Sequence, residues 1–400
     1  MIKRIIFFPQ NKLSDRDYSR FGLDIIQFRG YEAEVWDFTP VLRPYYFKNY
    51  DLPNPSKFSG IKVFYDKKQI EEHISELTPN DIIVCLIHYS ESNRFIFEKL
   101  DKSNVEYGFI SLTSHPETYS KYMRYVQHYE DIKQNPSLLI TKVKSRLSNL
   151  NTKEKHKSII PSFIITGGEK SILKFPQYIN NKKISIINAH HLDYDIYLND
   201  LLKPKDPVVG KESYAVYIDM YLPFSMDTSH GNEKNQPSAN ADTFYPVINI
   251  FFDEFERKFN VDVVIAAHPR SDYTGEKKSL YGDRLVIRNK THNLIKYSKC
   301  VLTHHSTTAG IAVLYKKPMI FISPNVIRNR LRRRIKFMAN NFCKKPINIS
   351  LNRIPSINID PINEDAYKEY KNSYIKMEGT PERPIWDIFC DFIDSRNKYL

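Results

Sequence analysis

Three short stretches of this 400-residue chain set acid–base and anion-binding residue types side by side. The first is VDVVIAAHPR, where an apolar run ends in His268 and Pro269 breaks the ladder, leaving an imidazole and the Arg270 cation at a strand end. Such a histidine can donate to a phosphate and titrates near working pH; the structural alternative is a ring bonded to backbone. The second is VLTHHSTTAGIAVLY, an apolar strand followed by His304, His305, Ser306, Thr307 and Thr308 and then a helical pattern. Hydroxyls and free N–H groups at a helix start can hold an anion, although a single Ser or Thr there is an ordinary cap. Three hydroxyls after two histidines exceed what capping needs, and Ala309 and Gly310 would let a ligand or the sheet approach closely. The third is YIDMYLPFSMD, with Asp219 at a strand end and Asp227 in the loop beyond. A carboxylate so placed can take a proton from an acceptor hydroxyl, or can cap its loop.

These residues act together only if strands carry them to one edge. KRIIFFPQ, AEVWDF, DIIVCLIHY and VEYGFISL read as buried strands, with helical patterns between them. The pattern restarts after LKPKDPVVGKE with SYAVYIDMYL, NVDVVIAAHPR, DRLVIRN, KCVLTH and KPMIFIS, and TFYPVINIFFDEFERKF is an amphipathic helix. Strands alternating with helices predict parallel sheets joined by crossovers. The expectation is an α/β protein of two Rossmann-like units, residues 1–205 and 206–370, facing a central cleft, with residues 371–400 forming a closing helix. Ligands of such sheets bind beyond the carboxyl ends of the strands. Neither G-x-G-x-x-G nor G-x-x-x-x-G-K-[ST] occurs, so the dinucleotide fingerprint and the P-loop are excluded. NAHHLDYDIYL puts His190, His191, Asp193 and Asp195 near the junction. The types suit a metal, but no matched ligand set is visible, and a hinge-edge or acceptor-contact role is expected.

The formal charge of +13 predicts an anionic partner: nucleotide, phospholipid surface, acidic glycan or nucleic acid. Nucleic acid is set aside, because no recognised binding motif occurs and the basic residues do not form one aromatic-lined face. In NVIRNRLRRRIKFMANNF, Arg328, Arg330, Arg332, Arg333, Arg334 and Lys336 interleave with apolar residues at helical spacing. That pattern suits an anionic membrane surface or an acidic glycan, or a surface helix packed on its own domain. No run approaches the ~18 apolar residues of a membrane span. The N-terminal MIKRIIFFPQNKLSDRD lacks a small-residue cleavage site, so no signal peptide is predicted. Cys85, Cys300, Cys343 and Cys390 lie far apart in apolar or aromatic surroundings and read as reduced core thiols. The expected location is cytoplasmic, with peripheral contact at the inner face of the membrane.

His268-Pro269, Ser306-Thr307 and the following AGIAVLYKKPMIF resemble GT-B glycosyltransferases that use CMP-activated ulosonic acids: bacterial sialyltransferases, polysialyltransferases and capsule Kdo transferases. The likeness covers mainly residues 214–322. It implies a CMP-sugar donor on the second unit, an acceptor side on the first, and inversion at the anomeric carbon with no metal or cofactor. Carried over by position, His268, Pro269, Arg270, His305, Ser306, Thr307 and Thr308 would bind the donor, and His268 would stabilise departing CMP. The acidic motif falls on Asp219, but IDMYLP departs from the acidic-acidic-glycine pattern of the family. Some members carry the base on the first unit, where Asp15, Asp17, Glu91 and Asp193 are the alternatives. The implied acceptor is a surface or lipid-linked glycan. A similar layout occurs in polymerases that transfer alditol phosphates from CDP-alditols in teichoic acid synthesis; these, or another nucleotide-sugar GT-B transferase, are the competing expectation. Nucleotide-sugar epimerases share the fold, without a matching catalytic set here.

Overall fold

The computed structural model describes residues 1–52, 54–87, 89–112, 116, 159–210, 213–224 and 237–398. Among them, the strands form two wholly parallel sheets. The first contains β1 (Arg4–Phe8), β2 (Glu32–Asp37), β3 (Ile61–Val63), β4 (Asp81–Cys85), β5 (Glu106–Ser111), β6 (Phe163–Thr166) and β7 (Ser185–Asn188), in the order β3-β2-β1-β4-β5-β6-β7. The second contains β8 (Tyr214–Ile218), β9 (Asp262–Ala267), β10 (Val286–Arg288), β11 (Cys300–Thr303), β12 (Met319–Pro324) and β13 (Ile347–Ile349), in the order β10-β9-β8-β11-β12-β13. Each order runs outward one way from its first strand, then reverses, which is the doubly wound pattern of a GT-B-like α/β protein.

The apolar runs explain the burial. Parallel sheets are covered on both faces, so their strands are apolar throughout. In the first unit the period of two splits the side chains into two cores. Ile5, Phe7, Val35, Ile82 and Val84 face one, and Ile6, Phe8, Trp36, Ile83 and Cys85 face the other. In the second unit the helix Ala241–Phe259 buries Phe244, Tyr245, Val247, Ile248, Phe251, Phe252 and Phe255 at helical spacing. Asn240 caps its start by accepting from the Asp242 N–H at 2.8 Å, and Asn260 ends it in the left-handed region at φ 49°.

The chain changes unit at Asp195/Ile196 and again at Ile375/Lys376. The first change falls inside the helix Leu192–Leu201, ahead of the Pro- and Lys-rich stretch that marks a break by composition. The closing helix, Ile385–Asn397, belongs to the first unit. Trp386, Phe389, Cys390 and Ile393 join its core, and the Trp386 ring sits edge-on to Phe7 with centroids 4.9 Å apart. Arg29 ties that helix down through Asp387, Asp391 and Asp394 at 3.0, 2.8 and 2.6 Å. Gly22 permits the packing: its φ is +51°, and a Cβ there would stand 2.2 Å from Trp386 Cδ1.

Candidate functional site

The second sheet reverses between β8 and β11, and a crevice outside the carboxyl ends of the strands is expected there. Asp219 is the first residue past β8, His268 the first past β9 and His304 the first past β11. Because β9, β8 and β11 are consecutive neighbours, all three sequence-derived stretches meet at one edge.

His268 is held in a tight turn. Ser271 donates to the His268 carbonyl twice, from N at 2.9 Å and from Oγ at 2.7 Å, with Pro269 presetting φ inside the turn. The Arg270 N–H donates to His268 Nδ1 at 3.2 Å. Nδ1 is therefore an acceptor, and the neutral ring carries its proton on Nε2. His268 is half-buried, and Arg270 beside it is exposed.

Asp219 is buried, and both of its oxygens are engaged. Oδ1 accepts from the Tyr221 N–H at 2.7 Å and Tyr281 OH at 3.0 Å. Oδ2 accepts from Tyr273 OH at 2.7 Å and from the His268 N–H at 3.3 Å. Burial pushes this carboxyl above its ordinary range, while the four hydrogen bonds pull the other way. Burial and the nearby Asp219 charge also raise the Tyr273 and Tyr281 hydroxyls, which stay protonated as donors. A carboxylate with two donors on each oxygen has no lone pair left for an acceptor hydroxyl, so the general-base role expected of Asp219 does not fit this geometry. What it does is fix the His268 main chain and hold Tyr221 at φ +52°, a left-handed conformation costly for a bulky residue. Asp227 lies outside the described residues.

The two adjacent histidines have different environments. His304 is fully buried. Its Nδ1 donates to the Ile322 carbonyl at 2.6 Å, so Nε2 accepts from Tyr217 OH at 2.7 Å. Burial lowers its pKa to about 4, and it works as a neutral pin joining β8, β11 and β12. His305, Ser306, Thr307 and Thr308 are only partly buried. The helix starts later than expected, at Ala309, and runs only to Leu314. Ser306 to Thr308 form the turns ahead of it, their carbonyls accepting from the N–H groups of Ala309, Gly310 and Ile311 at 3.1, 3.0 and 2.9 Å. Ser306 Oγ accepts from the Thr308 N–H at 3.2 Å. Ala309 and Gly310 are buried, and a Cβ on Gly310 would meet Ile375 at 3.5 Å, so their small size serves internal packing. With so short a helix, the polar character of this edge comes from side-chain hydroxyls and His305 more than from a macrodipole.

The alternative carboxylates lie in the first unit. Asp193 is paired with Arg20 at 2.9 Å. Asp17 accepts from Ser14 Oγ at 2.7 Å and faces Arg16 at 3.4 Å. Asp15 and Glu91 are exposed, Asp15 at the start of the helix Asp15–Arg20 beyond β1 and Glu91 at the start of the 3₁₀ turn Glu91–Asn93 beyond β4. Near the junction, Asp195 accepts from the Ile385 N–H at 3.1 Å and is raised to about 7 by burial, while His190 Nε2 donates to the Arg383 carbonyl at 2.8 Å. These groups brace the chain where it changes unit.

In the basic helix Asn329–Asn340, Leu331, Ile335, Met338 and Ala339 are buried in the second unit. The apolar face expected to enter a membrane surface is therefore spent on the protein's own core, and only the cationic face remains outward. Among the described residues no helix is long and apolar enough to cross a membrane. Cys85, Cys300 and Cys390 are buried free thiols, Cys300 and Cys390 raised to about 12 by burial. Cys343 differs from expectation: it is exposed, at φ +55° in the loop after the basic helix.

Sequence reasoning missed Tyr217, Tyr273 and Tyr281. The visible signal was the density of tyrosines around the aspartate and the His-Pro turn, as in SYAVYIDMY and SDYTGEKKSLY.

No protein-family model matches the chain, and no curated protein matches it. Solved structures do. The Staphylococcus aureus MnaA–UDP co-structure aligns with a TM-score of 0.51 at 12% identity, covering 99% of this chain and 97% of that one. A crystal structure of a UDP-N-acetylglucosamine 2-epimerase aligns with a TM-score of 0.50 at 13% identity, covering 99% of this chain and 96% of that one. The chain thus has the two-unit GT-B-like α/β fold of these structures over essentially its whole length.

Proposed function

We propose that the chain is an inverting glycosyltransferase that moves a nonulosonic or Kdo-type sugar from CMP to a surface-glycan acceptor. The observation that carries this reading is the His268 turn: an imidazole whose Nδ1 accepts from the Arg270 N–H, past β9, on the same carboxyl edge of the second sheet that carries His305 and the Ser306–Thr308 hydroxyls past β11. A CMP-sugar has one phosphate with one negative charge. In this reading His268, the His305 and Ser306–Thr308 groups and the Arg270 cation would hold it.

In the reaction the acceptor oxygen attacks the anomeric carbon as its bond to the phosphate oxygen breaks. CMP leaves with the electron pair, and a carboxylate takes the acceptor proton. His268 donates to the phosphate as its charge grows, so this bond is stronger in the transition state than in the ground state. Asp219 acts as a positioning residue for His268. The base falls to an exposed carboxylate of the first unit, Glu91 or Asp15.

A donor screen tests the proposal. CMP-N-acetylneuraminate, CMP-Kdo, CDP-glycerol and UDP-N-acetylglucosamine are each incubated with enzyme and acceptor oligosaccharides, and nucleotide release is measured. CMP release from a CMP-sugar, reduced about 10²- to 10³-fold in His268→Ala, supports the proposal. Turnover of CDP-glycerol alone would favour the alditol phosphate reading, for which exposed Arg270 offers a cation to a second phosphate. Turnover of UDP-N-acetylglucosamine alone would put the chemistry with the UDP-sugar enzymes whose fold it shares.

A further inference from the structure

One surface of the first unit is neither core nor donor site. Past β2, the chain turns out through Asp37, whose Oδ1 accepts from Thr39 N and Oγ1 at 2.8 and 2.6 Å, and enters the short helix Pro44–Asn49. This helix contains Tyr45, Tyr46 and Phe47, yet none of its residues is buried. A structural helix with three aromatic rings normally spends them on a core. Here Tyr45 is 56% exposed, and Tyr65, past β3, is 65% exposed. Tyr46 stacks on Tyr50 at 4.9 Å, and Phe47 meets Tyr65 edge-on at 6.1 Å. The segments past β1, β2 and β3 thus build one aromatic platform.

The platform is basic. Lys12 lies 4.2 Å over the Phe47 ring and donates to the Phe47 carbonyl at 3.0 Å. The Arg43 guanidinium lies 4.7 Å over Tyr46 and is hydrogen-bonded to Asn11. From Pro40 to Tyr50 the sequence has Arg43 and Lys48 and no acid. Beside it lies an open hollow of about 540 Å³ walled by Val41, Lys67, Glu91, Ser92, Arg94, Phe95 and Glu98; its charges balance, with Lys67 paired to Glu71 at 3.3 Å and Arg94 to Glu98, so the net positive charge belongs to the platform. Lys67 sits 4.9 Å over Phe95, repeating the cation-on-ring pattern.

We propose that the platform and hollow seat an acidic oligosaccharide, the carboxylate-bearing stem of the acceptor. The proposal rests on the glycosyltransferase reading above. Pyranose rings present C–H faces that pack on exposed aromatic rings, and sugar carboxylates pair with the lysines and arginine between them. Lys12, Arg43 and Lys48 favour an acidic over a neutral glycan on the platform, and the hollow beside it is lined by Glu91, one of the two base candidates.

The test is titration calorimetry at low salt with a hexamer of α2,8-linked sialic acid, hexagalacturonate, maltohexaose and a six-nucleotide oligothymidylate. At least one acidic saccharide is expected to bind more tightly than maltohexaose and the oligonucleotide, and to weaken as salt rises. Tyr45→Ala/Tyr65→Ala alters only exposed rings and should weaken that binding about fivefold, leaving CMP binding unchanged. Four results would each overturn the proposal: neither acidic saccharide binds, maltohexaose binds as tightly, the oligonucleotide binds better, or the double variant binds as the parent does. The CMP response of the same samples separates the two ideas, because its loss refutes the donor reading whatever the saccharides do.

Discussion

Replacing Asp219 by Asn separates a structural carboxylate from a catalytic one. The side chain keeps its shape, but one oxygen becomes an NH₂ group. Each oxygen of Asp219 faces one backbone N–H and one tyrosine hydroxyl: Tyr221 N and Tyr281 OH on Oδ1, His268 N and Tyr273 OH on Oδ2. Whichever way the amide turns, its NH₂ meets a backbone N–H that cannot rotate away. One buried donor is then orphaned, at about 1–3 kcal/mol, and the bonds on the other side lose their charge assistance. Relief of the buried charge offsets part of this. A net loss of about 2–4 kcal/mol follows, which for a unit of this size is roughly 5–15 °C in melting temperature. The assay is thermal unfolding by circular dichroism, paired with CMP titration. Stability and CMP affinity should fall together, because the His268 main chain hangs on the same carboxylate. A variant that melts within about 2 °C of the parent, binds CMP normally and loses only kcat would refute this reasoning and restore Asp219 as the base.

Four further outcomes follow from the same geometry. His304, with a folded pKa of about 4 against 6.5 unfolded, favours the neutral ring, so its contribution is complete above pH 6.5 and is lost as pH falls toward 4, about 3 kcal/mol in all; its imidazole NMR signals should titrate near 4, and a midpoint between 6 and 7 would contradict the buried pin. Asp195, raised to about 7, stabilises most when protonated and loses that contribution as pH rises from 3.8 through 7; urea unfolding of Asp195→Asn should be indistinguishable from the parent near pH 4 and more stable by about 4 kcal/mol at pH 8, and no difference at pH 8 would show that the carboxyl is already solvated. Gly22→Ala forces a Cβ against Trp386 in a left-handed conformation and should cost about 2–4 kcal/mol; both tryptophans, Trp36 and Trp386, lie in the first unit, so tryptophan fluorescence reads it directly. Glu91→Gln, an exposed change, should leave melting and CMP binding intact while lowering kcat at least about 100-fold; full activity would pass the base role to Asp15.

The strands and their carboxyl-end residues were legible because the signal is local. VDVVIAA and CVLT are apolar runs of strand length that stop at a histidine, and the fold places both stops on one edge. The role of Asp219 was not legible. Two of its four donors, Tyr273 and Tyr281, stand 54 and 62 positions away, and no local pattern announces such a pairing. Sequence periodicity gave the basic helix an apolar face but could not say what covers it; Leu331, Ile335 and Met338 find their partners inside the second unit. The change of unit was misplaced for a related reason. Composition favours the Pro- and Lys-rich stretch as a linker, whereas the chain crosses inside a regular helix whose sequence carries no break.

The most direct test of the donor site is a thermal-shift panel of CMP, CDP, UDP, GDP and ADP on the parent and on His268→Ala. A ligand held at 100 times its Kd adds about 2.7 kcal/mol by mass action, or roughly 5–10 °C here. CMP should give the largest rise, and His268→Ala should remove most of it while melting as the parent does without ligand. Stabilisation by UDP, GDP or ADP with none from CMP, or a CMP shift that survives the loss of His268, would contradict the proposed donor site.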